Sequence, residues 1–489
     1  MLSEADRPPD MHMPIHKLRV KAGRGKPLTA LAAAALLALV LPTILPTTAG
    51  ATGSAALTAD GMRRTSPGAR LRVEEVEFHG NQRTSRERAL AAAGLVPGAV
   101  IDPAALQQAA ARLRAARLFR RVSVHTRPGQ RPGAIVVVFR VKEQNPHLRL
   151  GAGYADLSGW YLIPVQLNLD NLTGRGERCH VSTRLGFRRT GIVAHYRRPQ
   201  AREPRSAWHL TLRSESIRRL YFDQGIEISH PLERSALVLG LDRPFGPHAT
   251  VRAWGTFEGV TVDSSADAHS TRPDLEREVG DELAFEALPP GVRAAVGERR
   301  QGRLGLGLLL DSRRGAGLTN RGFWGETYGE FVTSTEARFA AGHFELRGYR
   351  PLGSRLQLAA RTRCGAVSAR APFYERFYVG GLYTVRGYPS QSLSPAAGDI
   401  RLALATLELR GAWIGPTADP VLAAILFLDA SLGWDGGAPN LDRGAAGCGY
   451  GLRVRLPWIG YAGLDVGLPL SRSPVLESFH LNLSIGWTF

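Results

Sequence analysis

The residues best equipped for chemistry in this 489-residue chain suit ion pairing rather than bond making. Arg386 sits in the run Arg376-Phe377-Tyr378-Val379-Gly380-Gly381-Leu382-Tyr383-Thr384-Val385-Arg386-Gly387-Tyr388. An arginine carries a permanent charge on a rigid fork of donors, which matches a buried carboxylate. Gly380, Gly381 and Gly387 permit backbone geometries that other residues resist. Two isolated acids stand downstream in alternating runs. Asp429 shares a side with Ser431 and Gly433, opposite Leu426, Leu428, Ala430 and Leu432, and Asp465 lies between Gly463 and Gly467. Gly447, Gly449 and Gly451 leave space on the neighbouring run.

Motifs for bond chemistry are missing. The chain has no G-x-S-x-G elbow, no P-loop, no complete G-x-G-x-x-G and no H-E-x-x-H. Gly174-Arg175-Gly176 and Gly447-Cys448-Gly449 are glycine pairs in turn and strand contexts, not phosphate cradles. Cys179, Cys364 and Cys448 are odd in number, far apart and without a histidine at metal-ligand spacing. They read as isolated thiols, although a disulfide between an undetermined pair stays open. No enzymatic activity, cofactor or metal is expected.

The elements that would position these residues are strands. After Pro146 apolar and polar residues alternate, as in Val165, Leu167 and Leu169 against Gln166, Asn168 and Asp170. Leu304, Leu306, Leu308 and Leu310 likewise oppose Gly305 and Gly307. At the C-terminus Phe479, Leu481, Leu483, Ile485, Trp487 and Phe489 alternate with polar or small residues, ending on an aromatic barrel signal. Outside the N-terminus no apolar run approaches the ~20 residues that a spanning helix needs. A membrane protein of this pattern must be a closed β-barrel, whose lipid-facing and lumen-facing residues alternate. The residues from 145 to 489, at about 20 per strand and connection, give about 16–17 strands, and even numbers are favoured. The expectation is mainly β: a sixteen-stranded antiparallel transmembrane barrel over 145–489. Residues 261–300 read as one long extracellular loop.

The formal charge of +19 does not indicate nucleic acid. Residues 1–51 account for about three of those charges by simple counting, and Lys142 is the only lysine after Lys26. The excess is arginine scattered along strands and turns, which suits a polar barrel wall meeting anionic lipid headgroups. At the N-terminus Lys17, Arg19, Lys21, Arg24 and Lys26 precede an apolar stretch from Leu28 to about Leu45, then Ala49-Gly50-Ala51. This describes a secretory signal peptide over 1–51. Residues 52–69 read as a flexible leader.

Between leader and barrel, residues 70–144 change pattern. Leu71 to Phe78 reads as a strand, Thr84 or Ser85 can cap a helix running to Gly94, and Asp102-Pro103 opens a second helix. That helix places Leu106, Ala109, Ala110 and Leu113 on one face, and two strands follow at Val122–Val124 and Ile135–Val141. The result is one compact α+β unit. With Leu118-Phe119 before the first of those strands and Phe139-Arg140-Val141-Lys142-Glu143 closing the second, its order resembles a POTRA domain. The resemblance implies a periplasmic module that receives unfolded polypeptides by strand addition at a sheet edge.

The glycine-rich run around Arg386 resembles the signature loop of the BamA/TamA outer-membrane assembly superfamily, which also holds two-partner secretion transporters. Weaker matches stand around it in order: Asn171 to Gly176, Asp311 to Arg314 with Arg321-Gly322, Leu407 to Arg410, and Phe427 to Ala430. The resemblance implies an outer-membrane location and a loop folded back into the barrel, with Arg386 meeting an inner-wall acid, Asp429 first and Asp465 second. It further implies assembly, insertion or translocation of β-rich client polypeptides without a chemical step. The expected partners are the bilayer, unfolded client proteins and periplasmic chaperones or accessory proteins. The alternatives are a two-partner transporter exporting one partner and, less favoured, a passive porin. Only one POTRA-like unit is visible, and residues 52–69 make a poor plug helix.

Overall fold

The computed structural model describes residues 71–116, 118–143, 147–155, 159–186, 188–199, 206–223, 226–270, 282–457, 460–471 and 478–489. The expected signal peptide and leader lie outside these residues. The first unit is a four-stranded sheet with two helices on it. β1 (Leu71–His79) pairs antiparallel with the two-residue β2 (Val100–Ile101) and parallel with β4 (Ala134–Glu143), whose other edge holds β3 (Phe119–Pro128). Local chemistry sets the helix ends. The Ser85 hydroxyl accepts from the Arg88 N–H to start α1 (Arg86–Ala93), which stops at Gly94 with φ +64°. Asp102 accepts from the Ala105 N–H and Pro103 occupies the first turn of α2 (Pro103–Ala115). Ala109, Ala110 and Leu113 then pack on Val73, Val76, Val137 and Phe139. The sequence pattern missed only β2, which is too short to show a period.

The remaining chain closes into a barrel. Its wall begins with β5 (His147–Ala155), β6 (Gly159–Asp170), β7 (Arg178–Gly186) and β8 (Arg189–Pro199). It continues through β9 (Ala207–Asp223), β10 (Ile226–Phe245), β11 (Ala249–Val262), then β14 (Gly297–Asp311) and β15 (Gly322–Ser334). β16 (Arg338–Leu352), β17 (Leu356–Val367), β18 (Arg401–Ile414), β19 (Leu422–Trp434), β20 (Ala445–Leu456), β21 (Gly460–Pro469) and β22 (His480–Ile485) complete it, and β22 neighbours β5. Between β11 and β14 lie the short β12 (Ala266–Ser270) and β13 (Glu282–Leu283), but β11 pairs directly with β14, so sixteen strands form the wall. Closure leaves no open edge, as an environment without water demands.

Two expectations need correction. Residues 261–300 are not one irregular loop: β11 runs to Val262, β12 pairs with β10, and α3 (Pro290–Arg293) precedes β14, which starts at Gly297. Leu288, Val292 and Ala295 are buried against Tyr221, Val260 and Phe373. Proline and acid content read as irregularity, while the packing comes from distant strands. At the C-terminus the alternation stops early. Leu481 and Leu483 face outward, but the strand ends at Ile485, Gly486 takes φ +89°, and Phe489 is buried against the inward-facing Tyr349 and Ala359.

Elsewhere the alternation sorts residues by face. Leu237, Leu239, Leu304, Leu306, Leu426, Leu464 and Leu483 project outward and stay exposed. Arg303, Glu345, Arg361, Glu408, Asp429, Arg453 and Asp465 are buried inside. An apolar exterior around a charged interior is the arrangement of a lipid-embedded barrel. Among the described residues no helix is long and apolar enough to cross a membrane.

Candidate functional site

The residues from 368 to 400 link β17 to β18 and fold into the lumen. One end of this loop meets the wall of β18–β21. Arg386 is fully buried. Its Nε and NH2 donate to the two Asp429 oxygens at 2.8 and 2.9 Å, and its backbone N–H donates to Oδ2 at 3.1 Å. NH1 donates to Glu408 Oε1 at 2.7 Å and to Asp465 Oδ2 at 3.4 Å. The guanidinium also lies over the Phe427 ring, 3.6 Å from its centre. Two further arginines complete the balance: Arg410 pairs with Glu408 at 2.7 Å, and Arg453 NH2 donates to Asp465 at 2.9 Å. Buried charges persist only when paired and hydrogen-bonded in this way.

The neighbours of Arg386 hold it there. Val385 is buried with Val379, Tyr388 and Leu402. Gly387 has φ +114° and passes so close to β21 that a Cβ would lie 2.9 Å from the Leu468 carbonyl carbon. On the wall, a Cβ at Gly447 would fall on the Arg386 carbonyl oxygen, and one at Gly467 on the Gly387 nitrogen. The Tyr388 hydroxyl donates to the Ala446 carbonyl at 3.1 Å and accepts from the Ser471 N–H at 3.1 Å.

The other end of the loop meets the opposite wall with reversed polarity. Glu375 accepts from Arg234 at 2.8 Å and Arg303 at 2.5 Å. The same two arginines hold Glu258, which also accepts from Arg213 at 2.7 Å and Gln301 Nε2 at 2.7 Å. Burial pushes the Glu375 carboxyl up, but the Arg234 and Arg303 charges outweigh it and hold the group below the usual range. Tyr378 stacks under Arg219, 4.5 Å from ring centre to guanidinium, and burial pushes its phenol up to about 12. Arg361 adds a tie between the walls, donating to the Tyr383 carbonyl at 3.2 Å while pairing with Glu345. The loop is therefore fixed at both sides of the lumen.

A third contact joins the N-terminal unit to the barrel. The turn from Asn171 to Glu177 follows β6, and Asn171 adopts φ +56°, a conformation asparagine tolerates. Its side chain donates to Thr84 Oγ1 at 2.7 Å and to the Leu118 carbonyl at 3.4 Å, and accepts from the Gly176 N–H at 2.8 Å. A Cβ at Gly174 would fall on the Arg83 carbonyl oxygen. Glu143 braces the same corner by accepting from the Arg83 and Thr84 N–H groups at 2.9 and 2.7 Å. Burial raises that carboxyl, and these bonds more than offset it, so its pKa is lowered.

The structure thus brings Gly380, Gly381, Val385, Arg386, Gly387, Tyr388, Asp429 and Asp465 together. Asp465, however, is bound mainly by Arg453, and the acid that joins Asp429 on Arg386 is Glu408, at 2.7 Å against 3.4 Å for Asp465. Parity could have found Glu408, since it stands between the outward Leu407 and Leu409. Glu375, Arg234 and Arg303 had no sequence signal, because their meeting crosses the barrel. Phe479, Leu481 and Leu483 lie on the exterior, whereas the Phe489 carbonyl accepts from Arg410 at 3.1 Å and Thr488 donates to Glu408 at 2.9 Å. The three cysteines are free thiols. No metal-ligating cluster occurs among the described residues.

Fold and site define a class: an outer-membrane β-barrel carrying a periplasmic α+β module and a loop locked inside its lumen. Residues 171–489 match the Omp85 superfamily domain, and residues 71–144 match the POTRA family, described as a surface antigen variable number repeat. The chain belongs to the Omp85 superfamily, as a BamA/TamA-like member, and its place is the bacterial outer membrane with the POTRA domain in the periplasm. It is 25% identical over 443 residues to the outer membrane protein assembly factor BamA of Nitratidesulfovibrio vulgaris, covering 85% of this chain and 51% of that protein. The chain therefore spans about half the length of that relative. The fold is similar to BamA from Haemophilus ducreyi lacking POTRA domains 1–3 (TM-score 0.64, 16% identity, 86% of this chain and 85% of that one). It is also similar to CdiB from Escherichia coli (TM-score 0.53, 15% identity, 85% and 75%) and from Acinetobacter baumannii (0.51, 13%, 85% and 74%).

Proposed function

We propose that this protein assists β-rich client polypeptides into or across the outer membrane without a chemical step. The observation that carries the reading is the loop clamped across the lumen by Arg386 on one wall and Glu375 on the other. A passive porin needs a clear passage, and a lumen crossed by a doubly anchored loop does not provide one. The work left to such a barrel is done by its wall and its periplasmic mouth. There the POTRA sheet offers edge strands for an incoming chain, a mode that uses backbone hydrogen bonds and tolerates many sequences. The Asn171–Thr84 contact fixes that sheet beside the first barrel strands. Lowering the barrier for a client to form β-structure requires only such an edge held near the bilayer.

Insertion of outer-membrane proteins is favoured over export of a dedicated partner. The BamA fold is the better match of the two kinds of relative, and the curated relative is a BamA. The test is reconstitution of the full chain in phospholipid vesicles, followed by addition of an urea-unfolded outer-membrane barrel whose folding is read as a heat-modifiable gel band. Faster folding than in empty vesicles, lost with Arg386→Ala, is expected. If vesicles with and without the protein fold the client equally, the insertion reading fails. Protease protection of an exported β-helical polypeptide inside the same vesicles would then favour the transporter.

A further inference from the structure

Glycines inside and outside this barrel do different jobs. Inside, a Cβ at Gly305 would meet the Trp254 ring, one at Gly365 the Phe377 ring and one at Gly240 the His209 ring, so neighbours already fill the space. On the outer face of β11 and β14 the reverse holds. A Cβ at Gly255 would find its first neighbour at 3.7 Å, one at Gly302 at 3.8 Å, and one at Gly259 nothing within 4 Å. None of these three has a positive φ, so neither backbone strain nor packing requires glycine there. What the missing side chains create is a groove of about 410 Å³ on the lipid-facing wall. Gly255 and Gly302 form its floor, and Leu239, Phe257, Leu304 and Phe331 form its sides.

The groove lies near the extracellular ends of its strands. Gly302 pairs with Thr333, one residue from the end of β15, while Leu306, Leu308 and Leu310 continue down β14 away from it. Two exposed arginines flank it. Arg300 is on the same face of β14 two residues from Gly302, and Arg338 pairs with Thr333 across β15 and β16. Their strands are two apart, about 10 Å, a span that two long side chains can close around one phosphate. Glu298 touches Arg300 only at Nε, 3.4 Å, in an exposed contact.

We infer that this groove is a lipid site of the outer leaflet: one acyl chain lies over Gly255 and Gly302, and Arg300 and Arg338 hold the phosphorylated headgroup. The inference rests on the barrel's position in the membrane and not on the client reading. β14 stands half a turn around the barrel from the β22–β5 closure.

The experiment is native mass spectrometry of the delipidated full chain in detergent, with phosphatidic acid and phosphatidylcholine of equal chain length added in competition. One phosphatidic acid retained with about tenfold preference is expected, the size of one added charge-assisted contact. Arg300→Ala with Arg338→Ala brings the preference close to one while retention of lipid persists. Gly302→Leu fills the groove and lowers retention of both lipids; Gly255→Leu fills it from the adjacent strand and replaces the first variant if that one lacks the heat-modifiable compact band. Equal retention of the two lipids by the unaltered chain, or unchanged behaviour of the filled and arginine-free variants, overturns the inference. So does a dimer mass that Gly302→Leu abolishes, which would make the groove a contact between two copies.

Discussion

The two clamps on the lumen loop are built with opposite signs. On β18–β21 the loop supplies the cation, Arg386, and the wall supplies Asp429, Glu408 and Asp465. On β10–β14 the loop supplies the anion, Glu375, and the wall supplies Arg234 and Arg303. They also differ in redundancy. Asp429 takes three hydrogen bonds, all from Arg386, whereas Arg234 and Arg303 keep Glu258 when Glu375 is removed. The two anchors of a loop tied this way fail with unequal cost.

Removing the irreplaceable partner should do most damage. Arg386→Ala strands a fully buried carboxylate at Asp429, a loss of about 3–5 kcal/mol. The compact gel band is expected to convert at lower temperature, and single-channel conductance in planar bilayers to become larger and unsteady. Unchanged conductance would demote this anchor. Arg386→Lys restores the charge without the fork, so it should recover only part of the thermal stability, because an ammonium cannot donate to both Asp429 oxygens in one plane. Full recovery would mean that charge alone matters.

Glu375→Gln should cost less, about 1–3 kcal/mol, since both arginines retain a carboxylate. If its melting shift equalled that of Arg386→Ala, the contrast in redundancy would collapse. The same anchor responds to acid. Glu375 is held below the ordinary 4.5 in the folded protein, so its contribution is complete above that value and fades as pH falls through the lower folded-state pKa. Conductance recorded in steps below pH 4.5 should therefore become noisier, and Glu375→Gln should remove that part of the acid response. The smallest effect is expected at the periplasmic corner. Asn171→Ala removes one interdomain donor, about 1 kcal/mol. Distances between spin labels on the POTRA domain and the barrel should broaden without loss of the compact band, and an unaltered distribution would deny Asn171 a positioning role.

How much of this was legible beforehand follows from the range of each signal. The capped helices at Ser85 and Asp102 were readable because a cap needs only three residues of context. The inward aim of Asp429 and Asp465 was readable because side chains alternate along any strand. Glu408 obeys the same rule, standing between Leu407 and Leu409. Glu375 follows no rule of spacing, since it lies in a loop and its partners come from strands far apart in the chain. Phe489 departs from the pattern because alternation continues in the letters after the backbone has turned at Gly486.

The sequence by itself determined that this chain makes short helices, alternating strands and a glycine-rich loop, because those depend on neighbours within a few residues. It also determined which face of most strands is apolar, and with closure required in lipid that is enough for a barrel. Only the tertiary structure decided which acid meets which arginine. Closing sixteen strands around a lumen brings Arg386, Glu408, Asp429 and Asp465 within hydrogen-bond reach on one wall and Glu375, Arg234 and Arg303 on the other. In a charged interior, pairing is set by distance through space, and distance along the chain carries almost no information about it.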